Sequence, residues 1–331
     1  MIKISYIIPY YKGQKEIHHC LDSILSIGLP ENEFEIIVID DCSPISAETA
    51  LSEYIIKNKN IHITRHKQNK RQGAAKNTGI NLAHGEYIAF ADQDDEIIAQ
   101  KSQKALDFAL KMNVDILTCN FKIRKENGEL IDYGLQKGDR TIISGKDFCE
   151  QLFEPEYNLA PWSNLYKREF LHKVARYFEE NVLMEDSDWI AWHYIHADVV
   201  GIFNSPIYTW AMNSYSITHS LHYVNRADWI KFGYRKIRDA QLYKKKSNIF
   251  AEIMTEDGKQ NIIGGMKKLW KVDNYRLFYR HLDNTLPELQ KMNWSGITKI
   301  LINHPILTLA FLYPIGSIIK KIRHAKANII K

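Results

Sequence analysis

The sequence predicts an α/β fold, a mostly parallel sheet with helices on both faces, followed by a helical C-terminal extension. Three observations predict it. Short apolar runs alternate with helical patterns from Ile4 to Met112, the order that builds a parallel sheet covered by helices. The runs at Ile4–Ile8, Glu35–Ile39 and Tyr87–Ala91 are almost continuously apolar, as suits strands buried on both faces. Each of these runs ends in distinctive polar residues, Pro9-Tyr10-Tyr11, Asp40-Asp41 and Asp92-Gln93-Asp94-Asp95. In open sheets of this kind, ligands bind just beyond the carboxyl ends of the strands.

Taken in order, Ile4–Ile8 is a strand closed by Pro9, and Ile17, Leu21, Ile24 and Leu25 share one face of the helix that follows. Glu35–Ile39 is the second strand and Ile61–Thr64 a short third. Gly73–Ala83 reads as a helix with Ala75, Gly79 and Leu82 on its inner side, Tyr87–Ala91 as a fourth strand and Gln100–Met112 as a helix. Val114–Cys119 is strand-like. Phe121–Arg124 and Glu129–Tyr133 flank Asn127-Gly128, a strong hairpin signal. Asp186–Ala197 reads as an aromatic-rich helix, and from Arg226 onward the pattern is largely helical. The expected division is a domain at 1–225, with halves at 1–112 and 113–225, and a mainly helical region at 226–331.

The 331 residues carry a formal net charge of +5 with 25% charged residues, which suits a globular protein and does not call for a nucleic-acid partner. The four cysteines, Cys20, Cys42, Cys119 and Cys149, form no CxxC pair and sit among apolar or strand-like neighbours, so buried free thiols are expected. Lys3 is followed at once by the first strand-like run, so no leader is expected and the expected location is the cytoplasm.

The chemistry centres on Asp92-Gln93-Asp94. Two carboxylates one residue apart in a turn can both reach a divalent cation. Mg2+ and Mn2+ prefer oxygen ligands and bridge substrate phosphates. Asp41 could accept a hydrogen bond from a base ring nitrogen, although Asp41-Cys42-Ser43-Pro44 also has good turn chemistry. Glu185-Asp186 precedes an apolar helix and reads either as a cap or as a general base for a hydroxyl nucleophile. His193 with His196, and His219 with His222, have the spacing of chance pairs; His219 or His222 stays a candidate third ligand of the cation. No GxGxxG, GxxxxGK[ST] or GxSxG motif occurs, which argues against a dinucleotide dehydrogenase, a P-loop NTPase and an α/β-hydrolase. A nucleotidyltransferase would want a glycine-rich basic loop after the first strand, and none is present.

These motifs resemble family 2 glycosyltransferases of the GT-A fold, whose nucleotide-binding sheet is Rossmann-like, over roughly residues 3–220. Ser5–Tyr11 is similar to the family's first strand, implying that Pro9 and Tyr11 frame a nucleotide base. Glu35–Ser43 is similar to the second strand and its Asp-Gly-Ser turn; Asp41 matches the base-binding carboxylate and Cys42 replaces the usual glycine. Asn69–Ile80 resembles the Asn-rich helix start, with Arg71 in place of the commoner glycine. Gly85–Asp95 is the most specific match. It implies that Asp92, Gln93 and Asp94 bind the nucleotide-sugar, that Asp92 and Asp94 hold Mn2+ or Mg2+, and that Asp95 supports them. Pro161–Leu171 resembles the acceptor border, with Trp162 and Glu185 on the acceptor side. Met184–Asp188 matches the family's Glu-Asp motif, with Asp186 as catalytic base.

The resemblance implies an inverting transfer from a UDP-sugar to a hydroxyl of a glycan or lipid-linked acceptor in the synthesis of bacterial surface polysaccharide, such as capsule or O-antigen. The alternative is a non-catalytic nucleotide-sugar binder or a scaffold of a biosynthetic complex. Residues 296–331 hold an apolar stretch, Pro305–Ile319, followed by Lys320-Lys321-Ile322-Arg323. The stretch is shorter than the ~20 residues a membrane span needs. Two readings stand: a helix lying on the inner face of the plasma membrane, or a helix pair docked on the catalytic domain.

Overall fold

The computed structural model describes residues 1–134, 142–155, 160–212, 222–267, 272, 274–282 and 284–305. The chain divides into two compact units, one of Met1–Asn213 with Lys245–Phe250, the other of Ser214–Lys244 with Ala251–Lys331.

The first unit is built on one sheet in which Ile61–Arg65, Phe34–Asp40, Ile4–Tyr10, Tyr87–Phe90, Asn164–Lys167, Ile116–Arg124, Val200–Ala211 and Glu96–Ile97 lie side by side in that order. Its parallel half comprises β1 (Ile4–Tyr10), β2 (Phe34–Asp40), β3 (Ile61–Arg65) and β4 (Tyr87–Phe90). β1 and β2 are buried at every position, which accounts for their unbroken apolar runs. Their side chains alternate between two helical layers. Tyr6, Ile8 and Val38 join the core formed with Ile17, Leu21 and Ile24 of α1 (Glu16–Leu25). On the opposite face Ile7 meets Gly79 of α4 (Arg71–Leu82), where a Cβ would fall 2.3 Å from Ile7 Cγ2. Only glycine lets this helix approach the sheet so closely. Between α1 and α4 lie the short helices α2 (Ala47–Ala50) and α3 (Ser52–Lys57).

Two strand expectations change. Pro9 lies inside β1, paired with Ile39, and does not close the strand. The ladder to β4 stops two residues earlier at Ile7, so a residue without an N–H is tolerated there. The runs Val114–Cys119 and Phe121–Arg124 are one strand, β6 (Ile116–Arg124). Asn120, the polar residue between them, pairs with Pro206 within an irregular stretch of β10 (Val200–Ala211). Of the cysteines, Cys20, Cys119 and Cys149 are buried and free, whereas Cys42 is only half-buried.

Around β6 the sheet becomes mixed, with β10 parallel to β6 and the other neighbours antiparallel. β9 (Asn164–Lys167) pairs antiparallel with both β4 and β6, and β7 (Leu130–Tyr133) forms the hairpin with β6. β5 (Glu96–Ile97) and β8 (Ile142–Ile143) pair with β10. The helices of this part are α5 (Ala99–Met112), α6 (Gly145–Gln151), α7 (Arg168–Val174) and α8 (Asp186–His196).

The second unit is helical among its described residues. Here α9 (Tyr223–Tyr243) crosses α10 (Asn248–Lys267, in this unit from Ala251 onward) at Gly233 and Gly258. A Cβ on either glycine would meet the other's carbonyl oxygen, at 2.7 and 2.6 Å. Ile230, Ile237, Ile262, Met266 and Phe278 form its core.

Candidate active site

The described candidate residues, His222 apart, come from segments of the first unit. The turn after β4 carries Asp92, half-buried, Asp94, exposed, and Asp95, buried. Asp95 ties the turn to β10. It accepts from the Tyr208 hydroxyl at 2.8 Å and from the Ala211 N–H at 2.8 Å, while the Asp92 N–H donates to the same Tyr208 oxygen at 2.9 Å. The Gln93 side-chain amide clasps the Tyr11 backbone, accepting from its N–H and donating to its carbonyl oxygen, both at 2.9 Å. Gln93 thus binds the turn to the end of β1. Pro9 is buried in β1, whereas the Tyr11 ring is exposed with the Lys12 ammonium 5.1 Å from its centroid.

At the end of β2 the two aspartates divide their work. Asp40 is a turn anchor, accepting from the N–H groups of Ser43 (2.7 Å) and Ala47 (3.0 Å) and from Arg65. Asp41 is 3% exposed. Its carboxylate accepts from the Lys70 N–H at 2.9 Å and bonds the His66 ring at 2.8 Å. Cys42 and Arg71, the two positions at which this chain departs from glycine, have φ of 61° and 68°. Both lie in the left-handed region that glycine enters without a Cβ penalty.

The helix α4 joins the turn after β4 to the segment before α8. Gln72 donates to Asp92 Oδ1 at 2.5 Å. One helical turn later, Lys76, 2% exposed, donates to Glu185 Oε1 at 2.8 Å. Asp186 opens α8 immediately after Glu185. Burial alone would lower the Lys76 pKa, but the charges of Glu185, Asp92 and Asp186 outweigh it and hold the ammonium firmly protonated. Burial, and then the neighbouring Glu185 charge, pushes the Asp186 carboxyl up to about 7. Asp92 is pushed up to about 6, mainly by burial, with Lys76 opposing and Asp94 and Glu185 reinforcing. The structure therefore brings Asp92 and Asp186 into one electrostatic cluster around Lys76.

Trp162 stacks on Tyr208, with centroids 4.6 Å apart and planes 16° apart. His193 and His196 each donate through Nδ1 to a carbonyl of their own helix, of Trp189 (2.7 Å) and Trp192 (2.8 Å). His222 caps α9, accepting from the Val224 N–H at 3.4 Å. His219 lies outside the described residues. Lys76 and Gln72 are the positions the sequence motifs do not single out. The signal for Lys76 was a lysine embedded in the otherwise small and buried face of Gly73, Ala74, Ala75 and Gly79.

Among the described residues no three His, Cys, Asp or Glu side chains form a metal cage. Two carboxylates with phosphate oxygens and water are nevertheless a normal Mg2+ environment. Asp92 and Asp94 supply hard oxygen donors, and the cluster carries more carboxylate charge than Lys76 neutralises, so a divalent cation fits.

The mixed sheet, its parallel strands ending in a carboxylate rim, makes this an α/β protein, and its likeness to solved structures makes the fold GT-A. Residues 5–175 match the model for glycosyl transferase family 2, and the chain belongs to that family. It is similar to the uncharacterized glycosyltransferase EpsJ of Bacillus subtilis (strain 168), 28% identical over 220 residues, 65% of this chain and 62% of that one. It is also similar to the poly(ribitol-phosphate) beta-N-acetylglucosaminyltransferase TarS of Staphylococcus aureus (strain Mu50 / ATCC 700699), 26% identical over 235 residues, 69% of this chain but 39% of that protein. The chain thus spans less than two thirds of these relatives' length. The crystal structure of S. aureus TarS 1-349 in complex with UDP-GlcNAc shares the fold, with a TM-score of 0.60 at 20% identity over 83% of each chain. So does the mannosyltransferase PcManGT from Pyrobaculum calidifontis in complex with GDP-Man and Mn2+, with a TM-score of 0.56 at 16% identity over 94% of this chain and 82% of that one.

Proposed function

We propose that this chain is an inverting glycosyltransferase that moves a sugar from a UDP-sugar to a hydroxyl of a glycan or lipid-linked acceptor in bacterial surface polysaccharide synthesis. The observation that carries the reading is the meeting of the turn after β4 with Asp186 around Lys76. In this reading the Asp92–Asp94 pair serves the donor and the separate carboxylate of Asp186 serves the acceptor. Relatives named for transfer to poly(ribitol-phosphate) support a polymer acceptor, and a related fold bound to UDP-GlcNAc supports the donor class.

Asp92 and Asp94 would hold Mn2+ or Mg2+, which when bound neutralises charge developing on the departing diphosphate. Asp41, Arg71, Pro9 and Tyr11 would receive the nucleotide. Asp186 takes the proton of the acceptor hydroxyl, and its elevated pKa suits a base working near neutrality. The acceptor oxygen bonds to the anomeric carbon as the bond to the diphosphate oxygen breaks on the opposite side. The configuration inverts, and an α-linked donor gives a β-linked product.

Work at the inner face of the plasma membrane fits the helix Gly296–Asn303. It buries Leu301 and Ile302 and leaves Ile297 and Ile300 each 44% exposed. No helix among the described residues is long and apolar enough to cross a membrane. Liposome flotation with and without residues 296–331 tests the association, and equal binding by both forms rejects it.

The donor reading is tested by calorimetric titration of UDP and GDP with and without Mn2+. Metal-dependent UDP binding that disappears in Asp94→Ala is the expected result. No binding of either nucleotide would leave the scaffold alternative.

A further inference from the structure

Three residues of α4, Gly73, Lys76 and Asn77, share one helical face and grip the segment that leads into Asp186. Asn77 brackets Phe178, donating to its carbonyl oxygen at 2.9 Å and accepting from its N–H at 2.8 Å. Gly73 lies so near that a Cβ would fall 2.5 Å from the Glu179 carbonyl oxygen and 3.0 Å from Glu185 Cγ. The Asn181 N–H donates to the Lys70 carbonyl oxygen at 3.2 Å. Asn181 and Met184 hold left-handed φ of 62° and 57°, conformations that persist only where their surroundings impose them. At the end of this gripped segment, buried Lys76 bonds Glu185, the residue before Asp186. The Lys76 ammonium also sits 5.3 Å from the Phe178 ring centroid, so its direction is set from two sides.

We propose that Lys76 is a positioning residue for the transfer reaction: through its buried ion pair with Glu185 it fixes the Met184–Asp186 turn and so aims the Asp186 carboxylate at the acceptor hydroxyl. The inference rests on Asp186 being the base. Gln72, one turn earlier on the same helix, holds Asp92, so α4 sets the spacing between donor-side and acceptor-side carboxylates. A purely structural lysine would be replaceable by any pair that fills the same space. A positioning lysine is not, because two apolar side chains restore packing without a directed bond.

The test compares wild type, Asp186→Asn, Lys76→Arg, Lys76→Met and the double variant Lys76→Met/Glu185→Met. UDP release is measured with Mn2+ and UDP-N-acetylglucosamine, UDP-glucose or UDP-galactose, water or added sugar serving as acceptor, alongside chemical denaturation. Lys76→Met should lose stability by stranding the buried Glu185 charge, and the double variant should recover it. The double variant's kcat should nevertheless stay about 100-fold down at unchanged donor KM, the scale of a misplaced catalytic group. Lys76→Arg should recover part of the rate. Wild-type kcat in the double variant would overturn the proposal. If the double variant does not fold, Glu185→Gln decides: it keeps an acceptor for Lys76 without the charge, and about tenfold lower kcat at unchanged donor KM supports positioning, whereas unchanged kcat overturns it. Wild-type rate in Asp186→Asn would instead remove the base assignment. No UDP release by wild type from any of the three sugars would overturn the donor reading and this inference with it.

Discussion

Tyr208 and Asp95 are joined by a buried hydrogen bond of 2.8 Å, and the same hydroxyl oxygen receives the Asp92 N–H at 2.9 Å. One side chain from β10 thus sets the shape of the carboxylate turn. Tyr208→Phe keeps the ring stacked on Trp162 but leaves Asp95 and the Asp92 N–H each short of a partner. A loss of about 1–3 kcal/mol is expected in denaturant unfolding, together with weaker Mn2+-dependent UDP binding. Unchanged UDP affinity would mean that the turn holds its shape without the hydroxyl.

Asp186 must be ionised to take a proton, and its pKa is raised to about 7. The rate of wild-type transfer should therefore rise with pH through about 7 and fall on acidification below it. Asp186→Asn should bind UDP as wild type does, lose about 100- to 10,000-fold in rate and show no such rise in its residual activity. A wild-type rate flat from pH 5 to pH 9 would count against Asp186 as the base.

Gly85 precedes β4, where a Cβ would lie 2.5 Å from the Ser5 nitrogen and 2.6 Å from the Ile4 carbonyl carbon. Backbone cannot yield as a side chain can. Gly85→Ala should cost about 1–3 kcal/mol through this overpacking. Gly128 offers the comparison: its φ is +83° with nothing within 4 Å of a Cβ. Gly128→Ala should cost only the left-handed backbone penalty, about 1–2 kcal/mol, and leave UDP binding untouched. Equal UDP affinity in both variants would show that the β1–β4 seam does not transmit to the site.

His193 is fully buried. Its Nδ1 is bonded to the Trp189 carbonyl oxygen, and its Nε2 has no partner among the described residues. Burial pushes its pKa down to about 3. The unfolded chain takes up this proton below about pH 6.5 while the folded chain refuses it. The stability contribution is therefore fully present above about pH 6.5 and is lost as pH falls toward 3, by about 1.4 kcal/mol per pH unit for one proton. His193→Phe should flatten that slope between pH 6 and pH 4 in urea unfolding. An identical slope would show that the imidazole is protonated in the folded state.

The parallel half of the sheet was legible because its strands are covered on both faces, and burial writes itself into sequence as unbroken apolar runs. The Asp92–Asp94 turn was legible for the same reason, being charge placed directly after such a run. What local pattern could not show was pairing at long range. Lys76 meets Glu185 across 109 positions, and nothing within one helical turn of Lys76 names that partner. Asn120 was misleading in the other direction: a polar residue inside β6 looked like a break, although the ladder to β10 continues past it. Gln93 reads from its position as a ligand contact, yet its amide is engaged by the Tyr11 backbone, a neighbour 82 positions away.

The place of β1 in the sheet has a consequence for a ribosome making the chain. Ile4 pairs with Phe34 on one side and with Tyr87 on the other. At a synthesis rate of about 5–20 residues per second, the 83 positions separating Ile4 from Tyr87 (87 − 4) take roughly 4–17 s to appear. Throughout that interval a strand rich in Ile and Tyr has an open edge, and Ile7 stays uncovered until α4 has been made near the interval's end. The nascent segment is thus a natural client for holding chaperones, and slow codons placed just before β4 would lengthen its exposure.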